Sequence, residues 1–206
     1  MTKHQNNKEM AILEAARNEF LEKGYDGARI TSIAKSAGVT HAMLHYYFKT
    51  KEQLFTGIFD DFIHQVVGNM TELFNDSDKP FIQQVEDAVS VHFDFIKENP
   101  QIPLFVIREI ATHPERIELI KDSVASTIGG FFGTVQKGID QARINGEICD
   151  IDAINLLFDV LSLNAFTFLA RPIFFAVFGR LTADDSVFIE LRKQEILKTI
   201  HKRLAI

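Results

Sequence analysis

Between Arg29 and Lys51 the chain gathers the side chains best suited to reading a polyanion: Arg29, Thr31, Thr40, His41, Ala42, Met43, His45, Tyr46, Tyr47, Lys49 and Lys51. Hydroxyls and imidazoles donate and accept hydrogen bonds at base edges, Ala and Met offer methyl groups to thymine, and Lys, Arg and Tyr hold phosphate. Other chemistry is poorly served. His41 and His45 stand four apart, as on a two-histidine metal face, but no third ligand is evident and no metal is expected. No Ser/His/Asp, paired-carboxylate or phosphate-loop arrangement stands out, so no catalytic residue and no cofactor are assigned. The lone Cys149 has no disulfide partner within the chain and no basic neighbour in sequence, so a reducing cytoplasm and an inert thiol are expected.

These groups need elements to position them, and the elements read as helices. From a start near Asn6 and Glu9, Ile12, Leu13, Ala16 and Phe20 recur at helical spacing, and Gly24 suits the C-terminal cap. A short helix fits Thr31–Ala37, with Ile33 and Ala34 inward and Gly38 as its stop; another fits Ala42–Tyr47, capped by Thr40. Gly38 can take positive φ at the tight turn between them, and Val39 plugs the angle. With Leu44 and Phe48 inward, Ala42 and Tyr46 fall on the opposite side of the second short helix, flanked by His41, Met43 and His45. That is a face fit for a major groove. Thr50 caps a longer helix, Lys51 to about Phe74, carrying Leu54, Phe55, Ile58, Phe62 and Val66. Further helices fit Phe81–Glu98, Ile102–Thr112, Pro114 to about Asn145, Ile151–Leu169 and Ala183–Leu204. Asn75–Pro80 is the clearest loop, and breaks fall at Asn99-Pro100, His113-Pro114, Asn145-Gly146, Pro172 and Gly179. Gly129-Gly130 marks a kink, a close contact or a break. No strand-like alternation appears, so the fold class is all-α, with about nine helices.

The stretch Gly24–Phe55 resembles the DNA-binding region of the TetR family of repressors, through Ile33, Ala34, Ala37, Gly38, Val39, Thr40, Leu44, Tyr47, Phe48, Thr50, Lys51, Glu52 and Leu54 at fixed spacing. The resemblance implies a three-helix helix-turn-helix domain at 1–50 and a larger helical ligand-binding and dimerisation domain at 51–206. It implies a transcriptional repressor, released from a palindromic double-stranded DNA operator by a small apolar or amphipathic effector. It also implies a homodimer formed through the last two long helices, about 151–169 and 183–204. Two residues depart from the pattern. Arg29 stands near the start of the second helix where the family has Ser or Thr, which leaves its cap unassigned, and His45 replaces a frequent Tyr. Arg29 and the net acidity leave an alternative, a helical ligand-binding or interaction module without DNA binding.

Net charge is −6, unfavourable for a nucleic-acid partner at first sight. Residues 1–51 hold eight Lys/Arg against five Asp/Glu, a balance of +3, and the remainder holds fourteen against twenty-three, a balance of −9. The basic surplus sits where the recognition groups are. Nineteen Phe, three Tyr and no Trp mean that most rings have no polar handle and belong in a core or an apolar cavity. Polar groups within apolar runs suggest an effector pocket, with Phe62, His92, Phe95, Phe105, Arg108, Phe158 and Phe166 as its candidate lining. Ile151–Leu169 is apolar on nearly every side and needs more than one partner to cover it. Polar interruptions from Asp152 to Pro172 argue against a membrane span, and the polar N-terminus shows no secretory signal.

Overall fold

The computed structural model describes residues 3–75, 78–179 and 185–206. Among these every regular element is helical: α1 Lys3–Gly27, α2 Ile30–Ser36, α3 His41–Tyr47, α4 Lys51–Leu73, α5 Phe81–Glu98, α6 Gln101–Thr112, α7 Ile117–Ile144, α8 Ala153–Phe178 and α9 Asp185–Leu204. A single 3₁₀ turn, Pro114–Arg116, precedes α7. The expected elements are all present, with ends moved by a residue or two. Three differences are larger. α1 starts at Lys3, ahead of the Asn6 signal. Gly129 and Gly130 lie inside an unbroken α7, with no atom within 4 Å of where a side chain would be, so neither a break nor a close contact occurs there. α8 runs through Pro172 to Phe178 instead of ending near Leu169.

A proline inside a helix removes one hydrogen bond and crowds the preceding turn. On either side of Pro172, α8 is tied to α9 instead: Arg171 forks onto the Asp185 carboxylate, and Phe175 meets Phe188 edge to face at 5.5 Å. By length and composition α8 could cross a membrane. One of its polar residues, Asn164, is fully buried within the protein and donates to the Val89 carbonyl and to His92 Nδ1. The proposed start of α9 at Ala183 and part of the Asn75–Pro80 loop (residues 76–77) lie outside the described residues.

The chain forms two compact units, Met1–His64 with Phe105–Ala125, and Gln65–Leu104 with Ser126–Ile206. The contacts thus assign part of α6 and α7 to the N-terminal helices, a different division from the functional boundary expected at 50/51. In the first unit Ile12, Ala16 and Phe20 of α1 meet Ile33 and Ala34 of α2, Leu44 of α3 and Leu54, Phe55 and Ile58 of α4 in one apolar core. Phe55 anchors a ring cluster with Phe20, Tyr25, Phe59 and Phe105. In the second unit α5 packs on α8 and α9, which also pack on each other. Phe93 stacks near Phe168 at 5.2 Å, while Ile139, Ile196, Ile200 and Leu204 are fully buried.

Candidate nucleic-acid interface

The turn between α2 and α3 works as its residues demand. Gly38 sits at φ +65°, where its N–H reaches the Lys35 carbonyl and the Val39 N–H reaches the Ala34 carbonyl, closing the end of α2. The Thr40 hydroxyl accepts the Met43 N–H at 3.2 Å and caps α3. Thr50 does the same for Gln53 at the start of α4, and the Gln53 side chain accepts the Lys49 N–H in return. With Leu44 and Phe48 buried, α3 has one rigid orientation and one outward face.

The residues expected to meet DNA come from α2, α3, the start of α4 and the segments between them. Arg29, Thr31, Thr40, His41, Ala42, His45, Tyr46 and Lys49 are exposed, and Met43, Tyr47 and Lys51 are half-buried. The His41 and His45 rings lie 4.5 Å apart, and His45 Nδ1 is 3.2 Å from the Lys49 carbonyl, so the imidazoles are held outward together. Tyr46 and Tyr47 meet edge to face, with the Lys49 ammonium over the Tyr46 ring.

The vacant cap at Arg29 has an answer that lies outside α2. The Arg29 side chain makes no cap bond, but the Glu19 carboxylate of α1 accepts its backbone N–H at 3.1 Å. Burial pushes the Glu19 carboxyl up, but the Lys23 ammonium, the Arg29 N–H and the Ser32 hydroxyl outweigh it and hold the group below its ordinary range. The Arg29 guanidinium is thereby left to solvent.

Lys51, expected to hold phosphate, also has partners within the protein. Its ammonium lies 4.7 Å over the Tyr25 ring and donates to the Asp26 carbonyl at 3.4 Å. The corner Gly24–Asp26 that it touches is an unusually charged place. Tyr25 donates its hydroxyl to Glu52 at 2.8 Å, and burial together with that carboxylate raises the phenol well above its ordinary value. The Arg116 guanidinium lies 4.4 Å from the centre of the same ring, donates to Glu109 and, through Nη2, reaches both oxygens of Asp26 at 2.8 Å. The hydrogen bond from Arg116 outweighs desolvation and holds the Asp26 carboxyl below its usual range. Sequence reasoning missed this cluster because ninety residues separate Asp26 from Arg116.

The seven residues suggested for an effector pocket do not come together. Phe62 and Phe105 are core residues of the first unit, with Arg17 over the Phe62 ring, and Arg108 is exposed beside Glu109. His92 is buried on Asn164, and Phe95 is half-buried. Phe158 and Phe166 are about two-thirds exposed, 67% and 63%, on the outer side of α8. An open cavity of about 680 Å³ lies elsewhere in the second unit. Leu104, Phe168, Leu169, Pro172 and Phe175 form its apolar wall, and Arg171 and Asp185 its charged part. Cys149 has a basic neighbour in space, since its thiol donates to the Arg203 carbonyl at 2.9 Å and the Arg203 guanidinium lies 3.9 Å from the sulfur.

Residues 12–58 match the family pattern described as bacterial regulatory proteins, tetR family. The chain is 23% identical over 141 residues to a fatty acid metabolism regulator protein of Bacillus subtilis, covering 68% of this chain and 71% of that one. It is 24% identical over 194 residues to the HTH-type transcriptional regulator RutR of Escherichia coli, covering 94% and 88%. The solved structure of the transcriptional regulator FadR of Bacillus subtilis in complex with stearoyl-CoA shares the fold, with a TM-score of 0.70 at 19% identity over 94% of this chain and 98% of that one.

Proposed function

We propose a mode of action for a chain that belongs to the TetR family of DNA-binding transcriptional regulators: it is a cytoplasmic repressor released from its operator by an amphipathic small molecule. The observation that carries the reading is the pair α2 and α3, locked by Gly38 and Thr40 with His41, Ala42, His45 and Tyr46 outward. In this reading α3 enters the major groove. His41 and His45 donate to guanine or phosphate, and Ala42 and Met43 touch thymine methyls. Arg29, Thr31, Thr40, Tyr47 and Lys49 hold the backbone on either side. Residues 1–50 form the reading head, and 51–206 carry effector binding and dimerisation.

Two copies are needed to place two recognition helices in successive major grooves, about 34 Å apart. The exposed apolar face of α8, with Ile154, Phe158, Phe166, Ile173 and Val177, and of α9, with Val187 and Leu191, supports a homodimer built on these helices. A face of that size left in water is unusual for a monomer. The effector class is supported by the apolar cavity with its single arginine–carboxylate pair, and by the stearoyl-CoA bound in the structurally similar FadR. Effector and operator weaken each other by the same factor, since each prefers a different pose of α4 and the reading head.

The test is fluorescence anisotropy of the purified protein on DNA selected from a random pool, repeated with long-chain acyl-CoA. Selective binding by two subunits, weakened by acyl-CoA, is the expected result. Binding no tighter than to random duplex would remove the DNA-binding reading, and an operator Kd unmoved by any compound that binds the cavity would remove the effector reading.

A further inference from the structure

The corner between α1 and α2 is held by more charge than a surface turn requires. Three segments grip it. From α6, Glu109 accepts the Tyr25 N–H at 3.3 Å, and Arg108 lies alongside. From the 3₁₀ turn, Arg116 binds Glu109 through Nη1 and both Asp26 oxygens through Nη2, with its guanidinium carbon 4.4 Å from the centre of the Tyr25 ring. From α4, the Lys51 ammonium lies 4.7 Å from the centre of the Tyr25 ring and Glu52 accepts a hydrogen bond from its hydroxyl. His113 adds a contact to Asp26 at 3.3 Å.

A buried arginine–carboxylate pair is poor evidence for stability, because apolar side chains of the same volume hold a core as well. What the pair supplies is geometry. A guanidinium is planar with its donors in a fixed fork, so two carboxylates satisfy it in one arrangement only. Arg116 and Glu109 are both buried, and they form the fixed half of the clasp. Asp26 is mostly exposed and belongs to the corner, and α2 packs on α1 and α3 on α2. We propose that Arg116 is a positioning residue for operator binding: its two arms, Nη1 on Glu109 and Nη2 on Asp26, set the pose of the α1–α2 corner and so of the recognition helix. The clasp touches no DNA itself. This rests on the DNA-binding reading above.

The sign of one substitution separates this role from a bystander's. Asp26 carries negative charge in the basic part of the chain, so Asp26→Asn would tighten DNA binding slightly if electrostatics alone were at work. With the clasp, it weakens it. The experiment compares the full-length parent, Asp26→Asn, Asp26→Glu and Arg116→Lys on the operator selected by the parent, between about 50 and 200 mM salt. Asp26→Asn is expected to bind about tenfold more weakly with an unchanged salt slope and an unfolding midpoint within about 2 °C of the parent. Asp26→Glu, which keeps the carboxylate, recovers most of the affinity. Arg116→Lys, which keeps the charge and loses the fork, does not. Asp26→Asn binding as tightly as the parent, or more tightly, overturns the clasp while leaving the DNA-binding reading intact. A parent that selects no DNA overturns both. Because Asp26 is largely in solvent, its variant folds even if changes at Arg116 do not.

Discussion

The Glu19 carboxylate accepts the backbone N–H of Arg29 at 3.1 Å, so a side chain of α1 caps the first turn of α2 from ten residues upstream. Glu19→Ala should cost about 1 kcal/mol, in the range of a lost cap, measured by urea unfolding. Glu19 is held below its ordinary range, so its contribution is present above the unfolded value of 4.5 and is lost as pH falls through the folded one. Glu19→Gln should therefore flatten the acid limb of the stability curve. An acid limb unchanged in that variant would show that the carboxylate charge plays no part.

Gly24 and Gly38 share a positive φ but not an environment. At Gly24, with φ +70°, a Cβ would stand 2.9 Å from Glu109 Oε1, whereas at Gly38 nothing lies within 4 Å. Gly38→Ala should cost about 1 kcal/mol of backbone strain, and Gly24→Ala about 2 kcal/mol or more, since the clasp must also give way. Equal losses by thermal unfolding would contradict the close approach of Glu109.

His92 is buried against Asn164, and desolvation lowers its pKa to about 4. The unfolded chain binds this proton near 6.5, so between those values the unfolded state holds more protons and stability falls as pH drops, on the order of 3 kcal/mol in all. His92→Gln, which keeps an acceptor for Asn164, should remove that slope. Denaturant unfolding from pH 7 down to about 4 decides it: a variant with the parent's slope rules out His92 as its source.

Lys49 and Lys51 are two residues apart in sequence but face different tasks. Lys49→Ala should lower the salt slope of operator binding by about 0.9, one phosphate contact. Lys51→Ala should leave the slope alone and lower the unfolding midpoint, because its ammonium is committed to Tyr25 and Asp26. The reverse pattern would return Lys51 to the phosphate backbone.

Phe158 is the clearest probe of the assembly. Phe158→Asp places a charge on the exposed face of α8 without disturbing the core, and it should convert the dimer to monomer in sedimentation equilibrium. A variant that remains dimeric would move the interface away from α8.

The reading head was legible because its logic is local. Leu44 and Phe48 repeat at helical spacing, and Gly38 and Thr40 do their work within a few residues, so neighbours in sequence are neighbours in space. The seven effector candidates were harder to place for the opposite reason. α8 is apolar on nearly all sides, and periodicity cannot tell which of its phenylalanines meets α5, as Phe168 does, and which meets solvent, as Phe158 does. Pro172 reads as a stop by propensity, yet α8 continues past it, where the Arg171–Asp185 and Phe175–Phe188 contacts tie it to α9. The cap from Glu19, and the clasp from Arg116 even more so, join positions that no window along the chain brings together.

The modest basic surplus of the N-terminal part is smaller in practice than in composition. Lys23 is paired with Glu19, and Lys51 is turned inward to the corner, so neither contributes its full charge outward. Attraction to arbitrary duplex rests on the condensed charge of DNA meeting such cations, and here there are few of them. The proposed repressor is therefore expected to hold arbitrary duplex weakly, and to reach its operator more by three-dimensional excursions through solution than by travel along the double helix.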